Sequence, residues 1–312
     1  MHIFNNPNVN FLKWRWHALA LSVLVIGAGL ATIIARGGLP LGVDFSGGTV
    51  LRLKFEKPTS ESVVRAALPD AGNSVVQTYG APGDNEILVR LPLMGDQTNA
   101  DAQAAQVEAA LKAANVGNFI VQSKEIVGPA IGADLRQKGI WATISSLGGI
   151  LLYIWFRFRL TFAIGAIVAT FHDVLVTIVF LTWFGYDFSL NIVAALLTIT
   201  GYSVNDTIVI FDRVRENQRV AKRESLEETV NKSVNQTLSR TIITAGTTFL
   251  AVIALFLFGG DVLEGLAFTL LVGIVTGTYS TVFIAAAIAI ILSRRSAGAQ
   301  AVTQAQARAK RV

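Results

Sequence analysis

Five residues in one apolar run carry the chemistry that this sequence offers most plainly. Thr198, Gly201, Tyr202, Asn205 and Asp206 follow one another at steps of three and four residues. That spacing puts them on one face of a helix. An ionisable group at such a place costs about 2.5 to 3.5 kcal/mol on membrane-insertion scales, so its presence needs a reason. A neighbouring run has a matching face of Arg240, Thr244, Thr247 and Thr248. A third aligns Gly165, Ala169 and Asp173; a fourth aligns Thr269, Gly273, Gly277, Ser280 and Thr281. Gly273 and Gly277 form a small-xxx-small pair of the kind that favours close helix contact. The four stripes are expected to face a common interior.

Burial favours the neutral form of an aspartate, and a nearby guanidinium favours the charged form. An Asp206 that alternates between dry and wet surroundings, or near to and far from Arg240, takes up and releases a proton. That is the physical requirement for coupling to a proton gradient. Plainer readings stand beside it. Arg240 snorkels to the interface. Asp173 is a protonated, buried group bonded to a threonine of a neighbouring helix. His172 points about 100° away from Asp173 around the helix and reads as a packing histidine. Asp212 and Arg213 read as a boundary ion pair. Covalent catalysis is not expected: the chain has no cysteine and three histidines, with no nucleophile–base or metal constellation, so no cofactor and no enzymatic role is assigned.

The elements that position these residues follow from composition. Of 312 residues, 52% are apolar and 15% charged, against roughly a quarter charged in ordinary soluble chains. Mean hydropathy is +0.53. Six stretches are long and apolar enough to span a bilayer core, which takes about 20 residues: 17–35, 139–156, 160–184, 190–211, 241–258 and 266–292. Each must be helical, because backbone polar groups in lipid have to pair within their own segment. Lys13 and Arg15 precede the first span, Arg157 and Arg159 fill the link between the second and third, seven basic residues lie in 212–240 and five follow 292. The loops 185–189 and 259–265 carry none. This positive-inside pattern puts residues 1–16, 212–240 and the tail 293–312 in the cytoplasm, and the stretch 36–138 outside. The basic pI near 9.6 therefore reflects topology rather than nucleic-acid binding. The first span is read as an uncleaved anchor rather than a signal peptide.

The outer stretch reads as strand 49–55, a short helix capped by Thr59 or Ser60 and running through Leu68, a hairpin of 74–79 and 86–91 around the turn signal 81–84, helix 99–114 and strand 119–126. The order βαββαβ predicts a ferredoxin-like α+β domain between the first two of six transmembrane helices. Ahead of it, Gly42-Val-Asp-Phe-Ser-Gly-Gly-Thr49 reads as a turn or hinge at Gly47 and Gly48 rather than a phosphate cradle. In 212–240, Leu226, Val230, Val234 and Leu238 make a narrow amphipathic stripe that lies in the headgroup plane or packs under the bundle. The tail reads as disordered or loosely bound to anionic lipid.

The run 201–217, GYSVNDTIVIFDRVREN, closely resembles the fourth-helix signature of the SecF family of protein-export membrane subunits. The segment 42–49, Val127-Gly-Pro129 with Gly132 and Leu135, and Ser239-Arg-Thr241 resemble other parts of the same family. The resemblance spans about 15–295. It implies a subunit that pairs with SecD in an arrangement like half of an RND-type transporter. Such a subunit works beside the SecYEG channel, with YajC and the exported pre-protein as further partners. It uses the proton-motive force to assist export across the bacterial plasma membrane. The resemblance carries the proton-pathway role onto Asp206 and Arg240, and Asp173 also matches a family position. Asn205, Tyr202, Thr198 and Thr244 are the supporting polar face. A chain beginning at Met1 with its own anchor is expected to be separate from SecD. Two other readings stay open: a scaffold subunit whose buried charges lock helix packing, and an RND-like exporter of small molecules or lipids.

Overall fold

Arg15–Ala35 forms helix α1, and a turn of helix, α2, spans Val43–Ser46. The computed structural model describes residues 7–68, 74–79, 83–91, 100–220 and 223–294. Strand β1 is Gly48–Phe55, α3 Glu61–Ala66, β2 Val75–Tyr79, β3 Glu86–Leu91, α4 Ala100–Ala113 and β4 Phe119–Val127. The long helices are α5 Pro129–Arg157, α6 Leu160–Phe184, α7 Leu190–Val220, α8 Leu226–Phe258 and α9 Asp261–Ser280. The last continues through a π-helical turn, Thr281–Ala285, and on to residue 294. Contacts divide the chain into two units: 40–142 with 187–190, and the remainder.

The smaller unit is an α+β unit with a four-stranded antiparallel sheet in the order β2-β3-β1-β4. Leu51, Leu53 and Phe55 alternate along β1 and are buried, as the period of two in a strand requires. They meet Val76, Ile87 and Val89 from the neighbouring strands and Val64, Val107 and Leu111 from α3 and α4. Ser60 stands at the start of α3, but its hydroxyl makes no capping bond and lies 3.0 Å from the Ser62 hydroxyl instead. The turn expected at 81–84 lies partly outside the described residues, as does the tail beyond 294.

Gly47 and Gly48 have φ of 71° and 136°, a region that favours glycine. A Cβ on Gly48 would stand 2.6 Å from the Leu91 carbonyl oxygen, so the pair serves a turn in close contact with β3. The residues around it hold the start of α7. Gly42 N–H donates to the Phe188 carbonyl and Phe188 N–H to the Pro40 carbonyl, both at 2.7 Å. Asp44 Oδ2 accepts from the Leu190 amide at 2.8 Å, satisfying a donor at the N-terminus of α7. Arg90 grips Asp187 with both Nη atoms, which gives that loop acid a partner that spacing alone does not suggest.

Among the described residues, six helices reach the length and hydropathy needed to cross a membrane. Helix α6 packs against α1 and α9, and α9 against α8. Phe162, Ala166, Val204, Phe211, Val230, Val234 and Ala285 belong to the largest core cluster. Helix ends run past the apolar stretches. Helix α5 begins at Pro129 rather than 139, with proline at its first position, where no backbone N–H is needed. Helix α7 runs nine residues past 211, and α8 starts at Leu226 behind a Ser225–Glu228 capping box. The stretch 212–240 is thus the end of one spanning helix and the beginning of the next. It contains no Gly or Pro to break them. Val230 and Val234 of its apolar stripe are buried under the bundle. Among the described residues Asp212 and Arg213 do not pair with each other, because each is engaged elsewhere. Asp212 accepts from Arg157 at 2.7 Å, and Arg213 reaches Glu216 at 2.6 Å.

Candidate functional site

Two polar centres lie in the larger unit, and α7 contributes to both. The first is built around Asp173 of α6, whose side chain is fully buried. Its Oδ1 lies 3.0 Å from His172 Nδ1. Its Oδ2 accepts from Ser203 of α7 at 2.5 Å and from Ser280 of α9 at 2.8 Å. His172 Nε2 is 2.8 Å from Ser22 Oγ of α1, which is itself 3.2 Å from Tyr279 Oη. Tyr279 donates to the Ala18 carbonyl at 2.7 Å. One carboxylate and one imidazole thus tie together α1, α6, α7 and α9.

Small residues make this approach possible. A Cβ on Gly165 would stand 2.6 Å from the carbonyl oxygen of Ala285 in the π-helical turn. One on Gly277 would stand 3.0 Å from Ser203 Cβ, and one on Gly273 would overlap Ile199. The small-xxx-small pair therefore seats α7 against α9, and Thr207 and Thr281 hydroxyls meet at 3.1 Å beside it. The partners of Asp173 are serines rather than a threonine. His172 folds its ring back onto the adjacent carboxylate instead of merely packing, since an imidazole is long enough to cross the angle between consecutive side chains.

The second centre is Asp206. Ser203 and Asp206 are three residues apart, so they project about 60° apart around α7. Asp206 Oδ1 accepts from Thr241 Oγ1 of α8 at 2.8 Å. Its Oδ2 is buried with no hydrogen-bond partner among the described residues, and so is Tyr202 Oη one turn earlier. Unsatisfied buried oxygens are rare enough in native structures to call for an explanation. Arg240 forms no ion pair with Asp206 among the described residues. Arg240 itself is exposed, as are Thr198, Gly201, Asn205, Thr244 and Thr247.

The four stripes therefore do not share one interior. Those of α6 and α9 turn inward with Asp173. Those of α7 and α8 form an open polar face, which Asp206 borders from a half-buried position. Ser203, Ser280, Ser22, Tyr279 and Thr241 complete the two centres. Sequence spacing marked Ser280 only as part of a stripe and gave Thr241 no role. A hydroxyl in an apolar run, as at Ser22, was the available signal.

The profile of the protein export membrane protein SecD/SecF, C-terminal, matches residues 106–295, and that of the SecD/SecF GG motif matches 32–59, around Gly47 and Gly48. The protein translocase subunit SecF of Escherichia coli is 40% identical over 288 residues, covering 92% of this chain and 88% of its own. That of Pseudomonas aeruginosa is 41% identical over 296 residues, covering 92% of each. The crystal structure of SecDF from Thermus thermophilus, a translocon-associated membrane protein, superposes with a TM-score of 0.83 at 36% identity. It covers 93% of this chain, which spans 39% of the longer SecDF chain. SecDF in its super-membrane-facing form gives a TM-score of 0.70 over 97% of this chain. With two family profiles, relatives alike over nearly their whole length and the same helical architecture, this chain belongs to the SecD/SecF family of bacterial protein-export membrane proteins.

Proposed function

We propose that this chain is a SecF-type subunit that assists protein export by moving protons past Asp206. The observation that carries the reading is a carboxylate with one bare oxygen at the edge of an open polar face. Thr198, Gly201, Asn205, Arg240, Thr244 and Thr247 make a poor lipid-facing surface, because polar groups at membrane depth are costly unless they meet protein or water. A second membrane subunit covers them, and SecD is the partner in this reading. Protons reach Asp206 Oδ2 along that shared face, and Tyr202 Oη lies one turn away to relay or hold one. Arg240 approaches the carboxylate in one state of the cycle and withdraws in another. SecYEG, YajC and the exported pre-protein are the further partners of this assembly.

The α+β unit is read as a ferredoxin-like domain on the outer side of the plasma membrane, which its strand order β2-β3-β1-β4 and its βαββαβ sequence support. The distribution of basic residues supports cytoplasmic termini. Within the α+β unit, Asp44 accepts from the amide of Leu190.

The test is Asp206→Asn in membrane vesicles carrying the assembled translocase. The variant should assemble with SecD and retain gradient-independent export while losing the part that responds to the proton gradient. Normal gradient stimulation in that variant would refute proton coupling at this residue. A scaffold role is favoured for Asp173 alone, because both its oxygens are taken up by helix-to-helix and neighbouring-residue bonds.

A further inference from the structure

Helix α5 ends at Arg157, and only Phe158 and Arg159 link it to α6; this corner carries two arginines. It borders a cavity of about 280 Å³ whose other wall is the extension of α7 beyond its apolar run, including Arg215. Arg157 is held by Asp212 at 2.7 Å and lies 5.3 Å from the centre of the Phe158 ring. Arg159 and Arg215 have no ion pair among the described residues, and the nearby Glu216 is engaged by Arg213. Three guanidinium groups thus line one small cavity against a single carboxylate.

The cavity is apolar underneath. Phe211 meets Phe158 and Phe162 edge-on, with ring centroids 6.1 and 5.0 Å apart. Beside it, Phe156 is 92% exposed and Trp155 is 61% exposed. The candidate membrane spans end at Arg157 and resume at Leu160, so the opening sits at the level where helices leave the hydrocarbon. Arg159 also occupies the N-cap of α6, adding the positive end of that helix.

We propose that this cavity binds the phosphate of an anionic phospholipid. Planar guanidinium forks match phosphate oxygens in pairs. Basic pockets between spanning helices are a known form of acidic-lipid site. The aromatic floor takes the glycerol and upper acyl carbons, the exposed Phe156 offers further apolar surface, and Trp155 anchors the interface as amphipathic rings do. Free phosphate shares the headgroup chemistry but gains nothing from the floor or the membrane-level opening. The uncompensated charge of Arg159 and Arg215 selects an anionic lipid over a zwitterionic one. This inference is independent of proton movement at Asp206.

The full chain in neutral detergent tests it, with binding followed by tryptophan fluorescence and by native mass spectrometry. The probes are phosphatidylglycerol in mixed micelles, phosphatidylcholine in the same micelles, and inorganic phosphate. Phosphatidylglycerol should bind saturably and phosphatidylcholine should not. Arg159→Gln with Arg215→Gln should weaken phosphatidylglycerol binding at least tenfold. Arg219→Gln with Lys13→Gln removes the same charge elsewhere and should change it less than twofold. If the double glutamine variant does not purify as a folded protein, Arg215→Gln alone, on an exposed flank of α7, should weaken binding at least threefold. Unchanged binding in the cavity variants overturns the site. Equal losses in the control pair reduce it to surface charge, and inorganic phosphate competing as well as the lipid overturns the lipid assignment.

Discussion

The two aspartates of the membrane unit differ in what surrounds them rather than in kind. Asp173 is fully buried, and both its oxygens are occupied, by His172 from its own helix and by Ser203 and Ser280 from two others. Asp206 has one oxygen on Thr241 and one with no partner among the described residues, at the border of an open polar face. A saturated carboxylate that joins several helices fixes their packing, because moving any one of them leaves buried polar groups unpaired. A carboxylate with a spare oxygen is free to exchange a proton without breaking the bundle. The same helix, α7, carries the contact residue of the first and the whole of the second. Ser203, which bonds the saturated carboxylate, and Asp206, whose second oxygen is unsatisfied among the described residues, thus lie about one turn apart.

The comparison is broken most directly by stability measurements on the isolated chain. Asp173→Ala removes three polar contacts, and interhelical bonds in membranes are worth about 0.6 to 1.7 kcal/mol each. A loss of about 2 to 5 kcal/mol is expected, read as a lower midpoint in denaturation from detergent. Asp206→Asn keeps an acceptor for Thr241 and should cost less than about 1 kcal/mol. Equal losses for the two would mean that both aspartates are structural.

Glycines sharpen the contrast. Gly165→Leu drives a side chain into the Ala285 carbonyl and should cost about 1 to 3 kcal/mol by overpacking. At Gly201 an added Cβ meets nothing within 4 Å. Gly201→Leu should leave the isolated chain as stable as before, or more stable by up to about 1 kcal/mol from helix propensity. It should nevertheless reduce co-purification with SecD, since it fills the face assigned to that partner. Retained partner binding would show that the open face has another occupant.

The smallest effect supplies a control outside both centres. Glu61 accepts from the amide and hydroxyl of Thr78 at 2.7 and 2.8 Å, which holds its carboxyl below the ordinary value of 4.5. A depressed folded-state pKa gives stability that is present above 4.5 and is lost as pH falls through the lower, folded value. Amide-exchange protection at Thr78 in the full chain should therefore decline slightly between pH 5 and 3, about where an ordinary carboxylate titrates. Thr78→Val should flatten the part of that decline owed to the hydroxyl. An unaltered profile would remove Glu61 as the cause.

Much of this molecule is legible in residue order. Spans such as 160–184 are apparent because lipid tolerates only long apolar helices, and α6 begins and ends at those residues. The strands of the α+β unit show through their period of two, and Gly273 and Gly277 announce a close helix contact. Spacing shows which residues share a face of a helix but not which faces meet, because every stripe is compatible with several rotations of its helix. That is why Thr198, Asn205 and Thr244 looked inward on spacing alone, and why the partner of Asp173 was expected to be a threonine. It is also why the charged stretch 212–240 looked separate: hydropathy marks where the apolar run stops, whereas a helix continues until a breaker or a cap ends it.

Residue order by itself thus determined the membrane class, the spans, the small α+β unit and the carboxylates that need explaining, since each follows from local polarity and periodicity. Only the tertiary structure decided that Asp173 is bonded from three helices while one oxygen of Asp206 has no partner among the described residues. Hydrogen-bond saturation of a buried group depends on side chains brought together from distant parts of the chain, and those distances are set by how helices rotate and pack.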